Sequence, residues 1–413
     1  MVNRSVRRIA IVGGALSANK GAAAMVETVI ARMPQHVGQC EFSLLTTYPE
    51  ADSPKVPSDV SVMVVGLQPL RLALVEFPVA VLARIARLLR LPLGWVRARG
   101  CREMLNSDVV VDVAGISFAD GRGIPIVVYN ALMTGVPLLL GVPTVKAAQA
   151  LGPFSSPVNA LLSRLVLPRV TAICARGART RQHLDSLRLT NVVDVADLAF
   201  SLEESADLPM AVERGVLQLT NGFIVVMPSA VVRGIVEGNG DNYVQLMATL
   251  IRQIRGVTGK GVVIAPHSYR VGHGEGRMND GPVCREVGQE LASDSGVVVV
   301  DADLTAGELR KLIGTADVLV TSRFHAMISG LCTETPTVVV GWSHKYREVL
   351  DDFALVEFGM DSHVLKTPEV VVAKVVDALQ NCDAYSQQIR HALPAVRQRS
   401  AKNFEVIAGA MKS

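Results

Sequence analysis

Residues 318–350 read VLVTSRFHAMISGLCTETPTVVVGWSHKYREVL. A short apolar run ends in Ser322, Arg323, Phe324 and His325. A helix-prone stretch follows, then a second apolar run, TVVV, and a basic tail. Continuous Val/Leu/Ile runs without alternation suit strands covered on both faces, as parallel sheets require. Two such runs joined by a helix make a βαβ unit with a right-handed crossover. In open sheets of this kind ligands bind beyond the carboxyl ends of the strands. Arg323 and His325 fall at that point.

The same alternation runs through the chain. Strand-like runs lie at 9–12, 42–46, 62–65, 109–113, 171–174 and 192–195, then at 223–227, 262–265, 297–300, 318–320 and 337–340. Eleven strands are many for one twisted sheet. The acidic, weakly periodic stretch 202–222 offers a break. The expected fold is α/β, with two Rossmann-like doubly wound parallel-sheet domains facing a cleft, a favoured place for a ligand. Their expected bounds are 1–205 and 223–413, joined by a linker at 206–222. The last helix is expected to pack back on the N-terminal domain.

Composition narrows the function classes. Of 413 residues, 49% are hydrophobic and 19% charged, which fits a globular chain. A net charge of +3 does not argue for nucleic acid, and no nucleic-acid partner is expected. The six cysteines stand singly with no C-x-x-C pair, against zinc, iron–sulfur or a disulfide framework. The apolar run after the basic N-terminus is about five residues long, too short for a signal peptide core, so a cytoplasmic location is expected. No run reaches the roughly 18 apolar residues of a membrane span. Residues 72–100 come nearest, broken by Glu76, Pro78 and five arginines. Two readings stay open there: an amphipathic helix docked on the sheet with solvated arginines, or one lying on an anionic membrane surface.

Candidate site residues gather at strand ends. The first strand runs into GGALSANKGAAAMVETVI (13–30), a glycine-rich turn that can cradle an anion at a helix start. It matches neither G-x-G-x-x-G nor the Walker spacing, since Lys20 precedes its glycine. Asn19 and Lys20 are either ligand contacts or parts of a tight turn. Asp112 suits a sugar hydroxyl or a base, and equally a cap. Gln149 precedes the turn Gly152-Pro153-Phe154. Arg176, one residue past a strand, suits a carboxylate or phosphate. Ser229 and Arg233 follow the 223–227 run, and His267 follows the 262–265 run. The loop bearing Arg270, His273, Arg277, Asn279 and Asp280 reads as a substrate lid. His267 and His273 have no partner at metal spacing, so no metal is expected. Clustered arginines are costly unless something anionic meets them.

Taken in order, NKGAAAM, GPF, AICAR, DLAF, PH…ND and SRFHAMI…TPTVVVGWSHKYREVL resemble the polysaccharide pyruvyl transferase family over nearly the whole chain. The resemblance implies a GT-B-like pair of domains. It also implies transfer of a pyruvyl group from phosphoenolpyruvate to two hydroxyls of a sugar, as a ketal, on a glycan or lipid-linked saccharide. It places phosphoenolpyruvate at Arg323 and His325, matches Arg176 to the family's post-strand arginine, and puts the acceptor on the N-terminal half. Lys345 matches the late lysine. The chain departs from the family at Ala22 or Ala23, at Leu198, and at 342–344, where a tyrosine is usual.

The chemistry so implied needs a proton on the vinyl carbon. His325 is the candidate acid, because imidazole titrates near neutrality. Asp112 or His267 would take the hydroxyl proton. Arg176, Arg323, Lys345, Arg233, Asn19, Lys20, Ser322 and Phe324 form the candidate binding set. No cofactor is needed beyond the donor. Rival readings are a GT-B glycosyltransferase using a nucleotide sugar, a non-catalytic glycan- or lipid-binding protein, and an enolpyruvyl transferase that stops before ring closure. A lipid-linked acceptor would put the enzyme at the inner membrane face, with peripheral contact through 72–100.

Overall fold

The computed structural model describes residues 6–205, 207–270, 276, 278–341 and 344–411. The chain divides into two compact units. The first holds the chain up to Ser17, Met25–Ser201 and the residues from Arg397. The second holds Ala18–Ala24 and Leu202–Val396.

In the first unit the strands are β1 (Arg7–Val12), β3 (Cys40–Thr46), β4 (Val62–Gly66), β5 (Val109–Asp112), β6 (Ile116–Ser117), β7 (Thr144–Leu151), β8 (Ala172–Arg176) and β9 (Val192–Val195); β2 (Ala18–Asn19) belongs to the second unit. They form one parallel sheet in the order β4-β3-β1-β5-β7-β8-β9, with β6 beside β7. Side chains alternate across a strand. Ile9, Ile11, Val109 and Val111 pack with Met25, Val29 and Met33 on one face. Ala10, Val12 and Val110 pack with Ala80, Ala83 and Val136 on the other. Both faces are covered, which is why the sequence shows unbroken apolar runs.

Strand β7 was not expected. Its run TVKAAQAL is interrupted by Lys146 and Gln149, yet both are buried inside the sheet. Lys146 Nζ donates to Asp112 Oδ2 at 2.5 Å and to Thr134 Oγ1 at 3.1 Å. Gln149 donates to the Asp112 carbonyl at 2.7 Å and accepts from Ser117 at 2.5 Å. The polar pair is satisfied by partners distant in sequence, so the pattern reads as a loop. Strand β8 runs two residues further than expected: Arg176 is its last residue rather than beyond its end.

In the second unit β10 (Phe223–Met227), β11 (Gly261–Ile264), β13 (Val297–Val299), β14 (Val318–Thr321), β15 (Thr337–Gly341) and β16 (Gly359–Asp361) form a second parallel sheet, in the order β13-β11-β10-β14-β15-β16. Its centre buries Val225, Met227, Val263 and Leu319 against Leu309, Leu312 and Ile313. Strand β12 (Ser268–Tyr269) pairs antiparallel with β2, Ser268 opposite Asn19 and Tyr269 opposite Ala18. A piece from near the chain's start is thus an edge of the second unit.

The Cys382–Ala410 helix is long. Its later residues complete the first unit. Ser400 donates to the Asp197 carbonyl at 2.8 Å, Asn403 donates to the Ala196 carbonyl at 3.1 Å, and Phe404 and Ile407 enter the core.

Candidate functional site

The second unit gathers a cluster at the carboxyl ends of β10, β11 and β14. After β14 the chain turns through Ser322 and Arg323 into the Phe324–Cys332 helix, with Arg323 in extended conformation at its N-cap. The Arg323 amide donates to Thr321 Oγ1 at 3.0 Å, which fixes the turn. Its guanidinium forms an ion pair with Asp280. Burial works against the Arg323 charge, and Asp280, through charge and hydrogen bond, more than offsets it, so the guanidinium is held above its ordinary range. Asp280 is fully buried and also accepts from the Ser268 and Ala230 amides, each at 2.9 Å.

His325 sits in the first turn of that helix, edge-on to the Phe324 ring with centroids 5.2 Å apart. Its imidazole lies directly on the α-carbon of Gly21: a Cβ there would overlap the ring. Asn19 Oδ1 accepts from the Gly21 amide at 2.9 Å and shapes this approach. Lys20 is buried and ion-paired with Asp303. The Lys20 amide donates to the His267 carbonyl at 3.4 Å. The His267 side chain is buried. Desolvation first, then the nearby charges of His325, Arg323, Lys20 and Arg310, push its pKa well down, so it is neutral at physiological pH.

A second tier supports these groups. The Tyr346 hydroxyl donates to the Ser322 carbonyl at 3.0 Å, and its ring meets Phe324 edge-on at 5.7 Å. Burial is the main reason its pKa is pushed up to about 12, so it is a hydrogen-bond donor at neutral pH. Ser322 is buried and reaches the Tyr243 hydroxyl, which also accepts from the Ser229 amide at 3.2 Å. Lys345 Nζ lies 5.8 Å from the Phe324 ring centre, within reach of a cation–π contact.

The structure therefore brings together Asn19, Lys20, His267, Ser322, Arg323, Phe324 and His325, with Lys345 beside Phe324. Arg233 is engaged elsewhere, by Glu237 at 2.8 Å and Glu286 at 2.7 Å. Asp112 and Arg176 belong to the first unit. Asp112 accepts from Lys146 and from the Ala114 amide at 3.0 Å. It makes a buried ion pair and a local turn rather than a helix cap. Arg176 forms a buried ion pair with Asp197 and donates to the Gly115 carbonyl at 2.9 Å. The anion that charge clustering demands at Arg176 and Arg323 is supplied, in both cases, by an aspartate of the chain.

Of the expected lid, His273 and Arg277 lie outside the described residues, as do Trp342 and Ser343. The lid reading fails at its far end: Asn279 and Asp280 are buried, and Asp280 is the anchor of Arg323. Asp303, Gly21 as a seat for His325, and Tyr346 were missed as site residues. Asp303 was within reach of the same strand-end rule, since it follows the 297–300 run as His267 follows 262–265.

The profile of the polysaccharide pyruvyl transferase family matches residues 19–344. The chain belongs to that family. The match takes in Asn19, the Arg323–His325 turn and most strands of both sheets. No curated protein matches the chain. Solved structures share its fold across most of its length. A UDP-N-acetylglucosamine 2-epimerase of Neisseria meningitidis bound to UDP-GlcNAc has TM-score 0.58 at 10% identity, covering 97% of this chain and 98% of that one. A putative UDP-N-acetylglucosamine 2-epimerase of Listeria monocytogenes has TM-score 0.58 at 10% identity, covering 94% and 91%. A trehalose-6-phosphate synthase has TM-score 0.60 at 12% identity, covering 98% and 99%. At such identity the likeness speaks for the GT-B-like fold alone.

Proposed function

We propose that this pyruvyl transferase family member moves the pyruvyl group of phosphoenolpyruvate onto two hydroxyls of a sugar in a glycan or glycolipid. The product is a cyclic ketal and the by-product is phosphate. The observation that carries the reading is the cluster of Lys20, His267, Arg323 and His325, with both cations anchored by carboxylates before any ligand arrives. A guanidinium has five N–H donors and an ammonium three, so one carboxylate does not exhaust either. Arg323 and Lys20 suit a donor carrying a carboxylate and a phosphate. Positioning such a donor turns a bimolecular encounter into an oriented one.

In this scheme His325 delivers a proton to the terminal carbon of the enol, which becomes a methyl group. The adjacent carbon becomes an oxocarbenium-like centre. A sugar hydroxyl attacks it and gives up its proton, for which neutral His267 is the acceptor. The carbon–oxygen bond to phosphate then breaks. The second hydroxyl closes the ring, and its proton leaves with phosphate. Of the two hydroxyl protons, one balances the new methyl C–H and the other the released phosphate. The scheme uses no metal or organic cofactor. Asp112 has no step in it, because Lys146 already occupies its carboxylate. Arg176 is assigned a structural pair with Asp197 and no step.

The test is phosphate release from phosphoenolpyruvate with a panel of hexoside acceptors. Acceptor-dependent release by the wild type is expected, and His325→Ala should lower turnover by about 100-fold or more while leaving the melting temperature intact. Undiminished turnover in the variant would remove His325 from the mechanism.

A further inference from the structure

The first unit carries a helix whose surface is inverted. The Phe77–Leu88 helix buries Ala80, Ala83 and Ala86, small residues that let it lie close to the Ile124–Leu140 helix. Its large aliphatics point the other way. Leu82, Ile85, Leu88 and Leu89 are between 48% and 69% exposed, and Leu74, in the preceding π-helical turn, is 72% exposed. Leu82, Ile85 and Leu89 recur at three and four residues, one side of the helix. Trp95, in the loop that follows, is 42% exposed. Isolated exposed apolar residues are ordinary, whereas a contiguous patch marks an interaction surface.

The charge pattern says which surface. Between Leu72 and Gly100 there is one acid, Glu76, and it is fully buried, accepting from the Gly100 and Cys101 amides. Five arginines lie in the same stretch. Arg87 reaches the Leu140 carbonyl, while Arg84, Arg90, Arg97 and Arg99 stand exposed with no acidic partner among the described residues. A protein partner covering such a face would have to neutralise these charges one by one. A bilayer with anionic headgroups does so collectively, while its acyl boundary takes the leucines and its interface takes the tryptophan. Among the described residues no helix is long and apolar enough to cross a membrane, so the contact is peripheral.

We infer that the outward face of residues 74–95 docks on an anionic lipid surface. The proposal rests on this surface and not on the reaction proposed above. Its test is co-sedimentation of the full chain with vesicles of phosphatidylcholine, alone or mixed with phosphatidylglycerol. The chain should bind the mixed vesicles at low salt, leave them at high salt, and ignore the neutral ones. Tryptophan emission should shift to the blue on binding, and W95F should abolish the shift. Arg84→Gln and Arg90→Gln should each weaken binding about five-fold. L82Q/I85Q/L89Q should weaken it by about ten-fold or more per side chain that enters the lipid, with an unchanged melting temperature. Absence of binding to anionic vesicles at low salt would overturn the proposal, as would binding indifferent to L82Q/I85Q/L89Q. A wild-type dimer in solution that the same triple variant turns into monomer would overturn it too, and would give the face to a second copy of the chain.

Discussion

Gly21 and His325 act as one steric unit. The imidazole rests on a carbon that bears no side chain, so its position depends on a residue some three hundred places away in sequence. Gly21→Ala should push the ring out of place and lower turnover by about ten-fold or more, since small misplacements of a reacting group are costly; a melting curve close to wild type would show that the loss is local. The ion pair of Arg323 with Asp280 and its proposed contact with the donor can be separated. Arg323→Met leaves the buried Asp280 carboxylate without its cation, and should cost about 3–5 kcal/mol of stability. Adding Asp280→Asn removes the stranded charge and should restore most of that stability without restoring turnover, as read from urea unfolding and phosphate release together. Recovery of turnover by the double variant would make Arg323 merely structural. Arg323 and His325 were legible in the sequence because they follow an unbroken apolar run at the carboxyl end of a parallel strand, where ligands of such sheets bind. Their aspartate partners were not, because an ion pair across the fold leaves no trace in local spacing.

Among the elements, β7 shows where pattern reading fails. Its Lys146 and Gln149 would be prohibitive in a buried strand if unpaired. Asp112, Thr134 and Ser117 pair them, and the strand forms against the appearance of its sequence. Lys146→Met should therefore destabilise the first unit by about 3–5 kcal/mol, and K146M/D112N should recover most of it. Chemical denaturation of the two variants measures this directly. The double variant also decides the standing of Asp112: retained turnover per folded molecule fits a structural carboxylate, and its loss would return Asp112 to the chemistry. By contrast β1, β5, β10 and β14 were plain to read, because their central residues are apolar and buried and their polar residues stand only at the strand ends.

For the whole molecule, two parallel sheets follow from the number and character of the apolar runs. The sequence does not say that the units are assembled from non-contiguous pieces. Residues Ala18–Ala24 join the second unit because Asn19 and Ala18 pair with Ser268 and Tyr269. The end of the last helix joins the first because Ser400 and Asn403 satisfy carbonyls there. Both assignments rest on hydrogen bonds between distant segments, which no local pattern encodes. The first of them matters most for function, since it delivers Lys20 and Gly21 to His267, Asp303 and His325. On the proposed function, this cluster makes a ketal from phosphoenolpyruvate. The most direct test is carbon-13 NMR of the acceptor product formed from phosphoenolpyruvate labelled at its second carbon. A labelled quaternary ketal carbon bearing a methyl group, on a product heavier by one pyruvate less one water, is the predicted result. A labelled vinyl carbon, or an unlabelled product that forms only when a nucleotide sugar is supplied, would contradict it.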